Sequence, residues 1–170
     1  YESVLTKSGL GHFYEFAFSV KKRFNLNSED LVIDIGSNVG VLLNFFKSLG
    51  TKVLGVDPAA NICKIANKRG IKTLNSFFDN DISDFIKKKY GKAKIITGTN
   101  VFAHIDNLSA LFKNVKKILN KKDGIFIIEV PHFLNLLKDL EYDTIYHEHL
   151  SYITVKPLIK FLKKRHLKIF

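Results

Sequence analysis

Between residues 143 and 154 the chain reads DTIYHEHLSYIT, which brings Tyr146, His147, Glu148, His149 and Tyr152 within seven positions. The charge of these side chains depends strongly on their surroundings, so the cluster suits metal ligation, proton transfer or a half-buried turn. A metal needs three converging ligands. In an extended segment alternate residues share a side, which groups His147 with His149, sets Glu148 opposite, and leaves His132 as a third donor from elsewhere. The helical His-Glu-x-x-His spacing is absent, so no metal is assigned. Proton transfer and a structural turn rich in Tyr and His both stay open at this point.

Such a cluster needs a scaffold, and short β-branched runs alternating with helical periods supply one. HFYEFAFSVKKRF sets Phe13, Phe16, Val20 and Phe24 near one helical face. LVIDIG then reads as a buried strand, VGVLLNFFKSLG as a helix closed by Gly50, KVLGVD as a second strand, and ANICKIANKR as a helix closed by Gly70. IKTL is a short third strand, DISDFIKKKYG a helix and AKIITGT a fourth strand. NLSALFKNVKKILN is an amphipathic helix with Leu108, Leu111, Phe112, Val115 and Leu119 inward, and DGIFIIEVP is the fifth strand. The final HLKIF reads as the opening of a further strand. Strands separated by helices of about ten residues imply right-handed crossovers and a doubly wound, mainly parallel α/β sheet. In such sheets ligands bind beyond the carboxyl ends of the strands, where the strand order reverses.

Just after the first strand comes DIGSNVG, residues 34 to 40. Gly36 and Gly40 let the backbone turn sharply and approach a ligand, while the following helix offers free N–H groups. A dinucleotide fingerprint would want glycine at 38 and 41, where this chain has Asn38 and Val41. The order acidic, any, Gly, any, polar, any, Gly, beginning at Asp34, instead resembles the first motif of the class I S-adenosylmethionine methyltransferases. A second carboxylate, Asp57, closes the second strand beside Pro58, where it can accept both hydroxyls of a ribose. Each acid also has a plainer reading: Asp34 can cap its loop, and Asp57 with Pro58 can open a helix.

Composition narrows the field. The chain has 170 residues and is 46% apolar, enough for one sizeable core. No repeat or Pro/Gly/Ser linker divides it, so residues 1–170 read as one domain. The net charge of +11 comes from 27 basic and 16 acidic residues, but only Arg23, Arg69 and Arg165 are arginines. Nucleic-acid readers lean on clustered Arg forks, whereas these lysines are spread over helix faces, which disfavours nucleic acid as the partner and suits drawing in a phosphorylated substrate. The lone Cys63 falls inside a helical period, excludes a disulfide framework and reads as a small buried side chain. No apolar run approaches the roughly 20 residues of a membrane span, and the start lacks the order of a signal peptide, so a cytoplasmic protein is expected. The sequence contains no methionine, so it is expected to be a piece of a longer protein, truncated within its fold at the C-terminal end.

Four stretches, DIGSNVGVLLNFFKSLGTKVLGVDPAANICKIANKRGIKT, NVFAHIDNL, GIFIIEVPHFLNLL and YDTIYHEHLSY, together resemble the nucleotide-sugar C-methyltransferases. These enzymes methylate a ring carbon of a keto-deoxysugar with S-adenosylmethionine. The resemblance runs over nearly the whole chain and is most specific at YHEHLSY. It implies a Rossmann-like class I fold, a nucleotide-linked keto-sugar as substrate, and two further domains in the parent, one zinc-binding and one C-terminal. It also implies a cofactor loop at Gly36, Ser37, Asn38 and Gly40, Asp57 on the ribose, Asn100 near the methionine end, and Phe77 and Phe78 near the adenine. His104, Tyr146, Glu148 and His149 match the active-site residues of that family, and Tyr1 matches a further tyrosine. Where family members often carry an acid, this chain has Val39.

Methylating carbon requires removal of a weakly acidic α-proton while the developing enolate oxygen is steadied. The methyl donor is already a cation at sulfur, so no metal is needed to activate it. His149 suits the base, with an unperturbed pKa of about 6.5. Tyr146 can donate to the enolate oxygen or serve as the base itself, and Glu148 can orient a histidine or bind a sugar hydroxyl. The sequence alone leaves Tyr146 and His149 as alternative bases. An O- or N-methyltransferase of another small molecule, a cofactor-binding fragment without turnover, and a basic RNA-binding methyltransferase relative are the other functions it allows.

Overall fold

The computed structural model describes residues 6–170, so Tyr1 lies outside the described residues. These divide into two compact units, one comprising the residues up to Gly98 together with Ser109–Ile128, the other Thr99–Leu108 with Glu129–Phe170.

The first unit is built on a five-stranded sheet: β1 (Leu31–Ile35), β2 (Lys52–Asp57), β3 (Thr73–Asn75), β4 (Ile95–Thr99) and β5 (Ile125–Glu129), in the order β3-β2-β1-β4-β5. Parallel ladders join β1 to β2, β1 to β4 and β2 to β3. β5 runs beside β4 from an Ile125 N–H donated to the Lys94 carbonyl at 2.9 Å. The order reverses between β1 and β4, which is where a doubly wound sheet opens a crevice. All five residues of β1 are buried, as expected of a central strand covered on both faces.

Helices α1 (Lys7–Phe24), α2 (Val41–Ser48), α3 (Ala60–Lys68), α4 (Asn80–Lys89) and α5 (Leu108–Ile118) alternate with the strands. α1 is longer than the apolar pattern from His12 to Phe24 predicts, because Thr6 caps it: its hydroxyl accepts the Gly9 N–H at 3.1 Å. It ends at Asn25 in the left-handed region, φ 48°, after a last turn of Lys21, Lys22 and Arg23 that suits the helix dipole. Ala17, Val20, Leu43, Phe46 and Ile95 meet in the core cluster. The third strand starts two residues later than IKTL predicts, because its ladder begins where Thr73 pairs with Gly55. Ile71 instead turns inward and is buried. On α5 the inward face is carried by Leu111, Phe112, Val115 and Ile118, with Leu108 only half-buried.

The second unit holds short elements only: a 3-10 turn at Phe102–His104, α6 (Phe133–Lys138), a second 3-10 turn at Tyr142–Thr144, and α7 (Val155–Lys163). α6 buries none of its residues, and Leu162 alone is buried on α7. Residues 167–170 are irregular rather than the strand that HLKIF predicts. A strand persists only where a neighbour takes up its N–H and C=O groups, and the sheet's ladders are all made among the five strands above. Among the described residues no helix is long and apolar enough to cross a membrane.

Candidate active site

In the first unit the turn after β1 is fixed by backbone bonds to the neighbouring strand. Gly36 N–H donates to the Val56 carbonyl at 2.8 Å, and Gly40 N–H to the Ser37 carbonyl at 2.9 Å. Gly36, Asn38 and Gly40 all have positive φ, 70°, 49° and 80°. At Gly40 glycine is required twice over, since a Cβ would also stand 2.8 Å from the Ile71 side chain. Asn38 tolerates its left-handed conformation because its own Oδ1 accepts the Val39 N–H at 2.8 Å. Val39 is buried, so its side chain packs inside.

Asp57 meets this turn, as the strand-end spacing predicts. Its Oδ2 accepts the Asn38 N–H at 3.0 Å and its Oδ1 the Ala59 N–H at 2.9 Å. A carboxylate has about four acceptor positions, so two remain after these bonds. Asp34 is buried beneath the turn, with Oδ1 accepting the Thr97 hydroxyl at 2.7 Å from β4. That contact makes Asp34 a support for the loop from below. Ser37 turns its side chain into the sheet, where a Cβ on Gly55 would collide with it. Its main chain is tied into the turn, the N–H donating to the Val56 carbonyl at 3.3 Å and the carbonyl accepting the Gly40 N–H. Pro58 is exposed beside Asp57, Phe77 beyond β3 is 73% exposed, and Phe78 is half-buried.

A glycine cradle, a carboxylate with spare acceptor positions and an exposed aromatic ring at three adjacent strand ends fit an adenosine-type ligand. Cys63 sits behind them, its Sγ–H directed at the Asp57 carbonyl at 3.2 Å. Burial, and then the Asp57 charge, push this thiol above its ordinary value, which suits a packing residue and not a nucleophile.

The second unit contains a cavity of about 370 Å³ lined by Asn100, His104, Tyr146, His149, Ser151 and Tyr152, together with apolar groups. Asn100 is placed on it by a left-handed φ of 56° and by its N–H, which donates to the Glu129 carbonyl at 2.8 Å. His149 Nδ1 lies 2.8 Å from the Thr144 carbonyl. A carbonyl only accepts, so Nδ1 carries the proton and Nε2 of the neutral ring is the acceptor. Nε2 is 2.9 Å from the Tyr146 hydroxyl, which therefore donates to it. His104 is held the same way, with Nδ1 3.0 Å from the Glu148 carbonyl, and its ring centroid is 5.0 Å from that of His149.

Glu148 thus serves His104 through its main chain, while its side chain is exposed, as is His147. Among the described residues no three of His, Cys, Asp and Glu are grouped to hold a metal.

Four contributors escaped the sequence pattern. Gly55 is needed because Ser37 and Thr73 crowd it, and the signal was a lone glycine inside a strand. Thr97 was visible only as a small polar residue in the apolar run IITGT. The Thr144 carbonyl, being main chain, left no mark in residue type, and Ser151 was a small residue inside the motif that drew no separate notice.

A parallel sheet of this order, with a glycine turn after β1 and a carboxylate closing β2, is the Rossmann-like α/β fold of the S-adenosylmethionine-dependent methyltransferases. Residues 10–170 match the family described as a methyltransferase domain. The chain belongs to that family: it is a methyltransferase domain of the class whose cofactor is S-adenosylmethionine.

Among its relatives, C-methyltransferase NovU of Streptomyces niveus is 36% identical over 148 residues, which make up 87% of this chain and 35% of NovU. A ubiquinone biosynthesis O-methyltransferase of Glaesserella parasuis serovar 5 (strain SH0165) is 31% identical over 103 residues, 57% of this chain and 43% of that protein. The chain therefore spans less than half the length of either relative. The plantazolicin methyltransferase BpumL, solved with a pentazolic desmethylPZN analog and SAH, superposes with a TM-score of 0.69 at 13% identity. That match covers 94% of this chain and 66% of BpumL, and the likeness is one of fold.

Proposed function

We propose that this chain binds S-adenosylmethionine and methylates a carbon of a nucleotide-linked keto-deoxysugar. In this proposal the first unit takes the nucleoside: Asp57 accepts from the ribose hydroxyls, the Gly36–Gly40 turn faces the methionine end, and Phe77 and Phe78 face the adenine. Asp34 and Pro58 shape that loop. The chemistry supplied by the bound cofactor is a methyl group on a cationic sulfur.

The observation that carries the reading is the run of hydrogen bonds from Tyr146 to His149 to the Thr144 carbonyl, on the wall of a cavity. With Nδ1 holding a proton against the carbonyl, the basic atom is His149 Nε2. The α-proton of the keto-sugar ends on Nε2, and Tyr146 relays it or, released from Nε2, donates to the enolate oxygen. His104, with its Nδ1 likewise tied, keeps Nε2 for a second contact with substrate, and the exposed Glu148 carboxylate takes a sugar hydroxyl. The α-carbon, left with the electron pair of its broken C–H bond, would take the methyl group, the sulfur keeping the pair of the broken S–C bond as the neutral thioether.

The likeness to NovU favours carbon as the methyl acceptor, while the likeness to an O-methyltransferase favours oxygen. Exchange in D₂O separates them. With S-adenosylhomocysteine present, a keto-sugar nucleotide acquires deuterium at its α-carbon if the reading is correct. No exchange, alongside tight binding of S-adenosylhomocysteine by calorimetry, would leave the cofactor assignment standing and sink carbon methylation.

A further inference from the structure

The turn that presents Asp57 is held from the neighbouring strand. Where β2 ends, the Asp57 carbonyl accepts the Ser76 N–H at 3.1 Å, and the side-chain amide of Asn75 bridges two successive carbonyls, that of Asp57 at 3.2 Å and that of Pro58 at 2.8 Å. Carbonyls only accept, so the amide turns its NH₂ group toward both, and its two donors are taken up. Asn75 is the last residue of β3 and is exposed, so its side chain is no part of the core.

The shorter of these two bonds bears on the carboxylate. The Pro58 carbonyl and the Ala59 N–H belong to one planar peptide group and point to opposite sides of it. Asn75 holds the carbonyl end, and the N–H end donates to Asp57 Oδ1 at 2.9 Å. The ring of Pro58 fixes its own φ, and Ala59, the cap of α3, makes no side-chain cap bond, so the attitude of this plane is set by the bonds at its two ends. If the plane turned, the Ala59 N–H would swing away from Oδ1, leaving the carboxylate on the Asn38 N–H at 3.0 Å from Oδ2. The amide on β3 thus reaches the carboxylate through one rigid plane.

We propose that Asn75 is a positioning residue for the cofactor: by orienting the Pro58–Ala59 peptide it aims the Asp57 carboxylate at the ribose hydroxyls. This rests on the reading above that places Asp57 at the ribose. A chain whose β3 ended in a side chain without two donors would keep the carboxylate and lose its aim. Asn75 therefore supplies affinity directed at the ribose hydroxyls, and the fold does not depend on it.

The test is calorimetry on the full chain with S-adenosylhomocysteine and its 2′-deoxyadenosyl analogue, using wild type, Asn75→Ala, Asn75→Leu, Asp57→Ala and the two double variants. Asn75→Ala and Asn75→Leu, the second close in shape to asparagine but without donors, should each weaken S-adenosylhomocysteine binding about fivefold, the worth of one ordinary hydrogen bond, and weaken the deoxy analogue less. In the Asp57→Ala background the same substitutions should change affinity by less than about twofold, because the group they act through is gone. Wild-type affinity in Asn75→Leu overturns the proposal in favour of a space-filling role. An equal loss with and without Asp57 overturns it in favour of a direct contact with the cofactor, and loss of the cooperative melt in either variant overturns it in favour of a role in the fold. If Asp57→Ala binds S-adenosylhomocysteine as wild type does, the ribose reading itself fails and takes this inference with it. A weakened Asp57→Ala beside unaffected Asn75 variants leaves that reading standing and sinks this inference alone.

Discussion

The two units hold their candidate ligand-binding groups by opposite means. In the first, Asp57 and the glycine turn are fixed by main-chain bonds to a sheet whose central strand is buried throughout. In the second, Tyr146 and His149 are held by a side-chain hydrogen bond to each other and one from His149 to the Thr144 carbonyl, beside a helix that buries nothing. A ligand common to a whole enzyme class suits a rigid seat, whereas acceptor-specific chemistry suits a region whose residues can change without unfolding the sheet. The difference teaches that stability and proton transfer should respond to separate sets of substitutions.

The largest effect expected is at the proposed base. His149→Asn should lower turnover by about 10²- to 10⁴-fold, the usual worth of a positioned acid–base group, with affinity for S-adenosylhomocysteine within about twofold by calorimetry. Equal loss of cofactor affinity would break the division between the units.

Next comes core packing. Phe46→Ala, which empties a fully buried site, should cost about 3–5 kcal/mol in urea unfolding, whereas Leu134→Ala on α6, where the residue is 57% exposed, should stay within about 0.5 kcal/mol. Similar costs at both positions would show that α6 is packed as firmly as the sheet.

A smaller effect belongs to the carboxylate proposed to bind the nucleoside. Asp57→Asn keeps an oxygen for the Asn38 N–H but loses the charge, so cofactor affinity should fall about 10- to 100-fold, with deuterium exchange into a keto-sugar nucleotide surviving once cofactor saturates. Loss of exchange at saturation would mean that Asp57 acts beyond binding.

The smallest effect lies on the surface. Lys52, 2.7 Å from Glu29, holds that carboxyl below the ordinary glutamate range, first by its hydrogen bond and then by its charge. A folded pKa below the unfolded one contributes stability that is present above the unfolded pKa and is lost as pH falls through the folded one. Lys52→Ala should therefore move the Glu29 titration upward in NMR while leaving the melting temperature at neutral pH unresolved from wild type. A clear drop in melting temperature would show that the pair matters more than its exposure implies.

Much of the first unit was legible because its information is local. Apolar periods set the five strands and their helices, and ligand groups in a doubly wound sheet follow strand ends, so Gly36, Gly40 and Asp57 could be found by counting from LVIDIG and KVLGVD. Details that depend on a neighbour were hidden. The start of β3 was decided by Gly55 in β2, the start of α1 by a threonine cap, and the fate of HLKIF by the lack of a pairing strand among the described residues. In the second unit, residue types announced titrating chemistry, but the tautomers depend on the carbonyls of Thr144 and Glu148, which every residue type possesses. Asn75 was hidden for a related reason: what its amide holds is main chain.

Those two carbonyls carry an evolutionary consequence. Because the peptide groups of residues 144 and 148 fix which imidazole nitrogen bears hydrogen, the side chains there can drift without disturbing it. Lineages sharing this backbone could exchange Thr144 or Glu148 to accommodate differently decorated acceptors, while inheriting the same pair of correctly protonated rings.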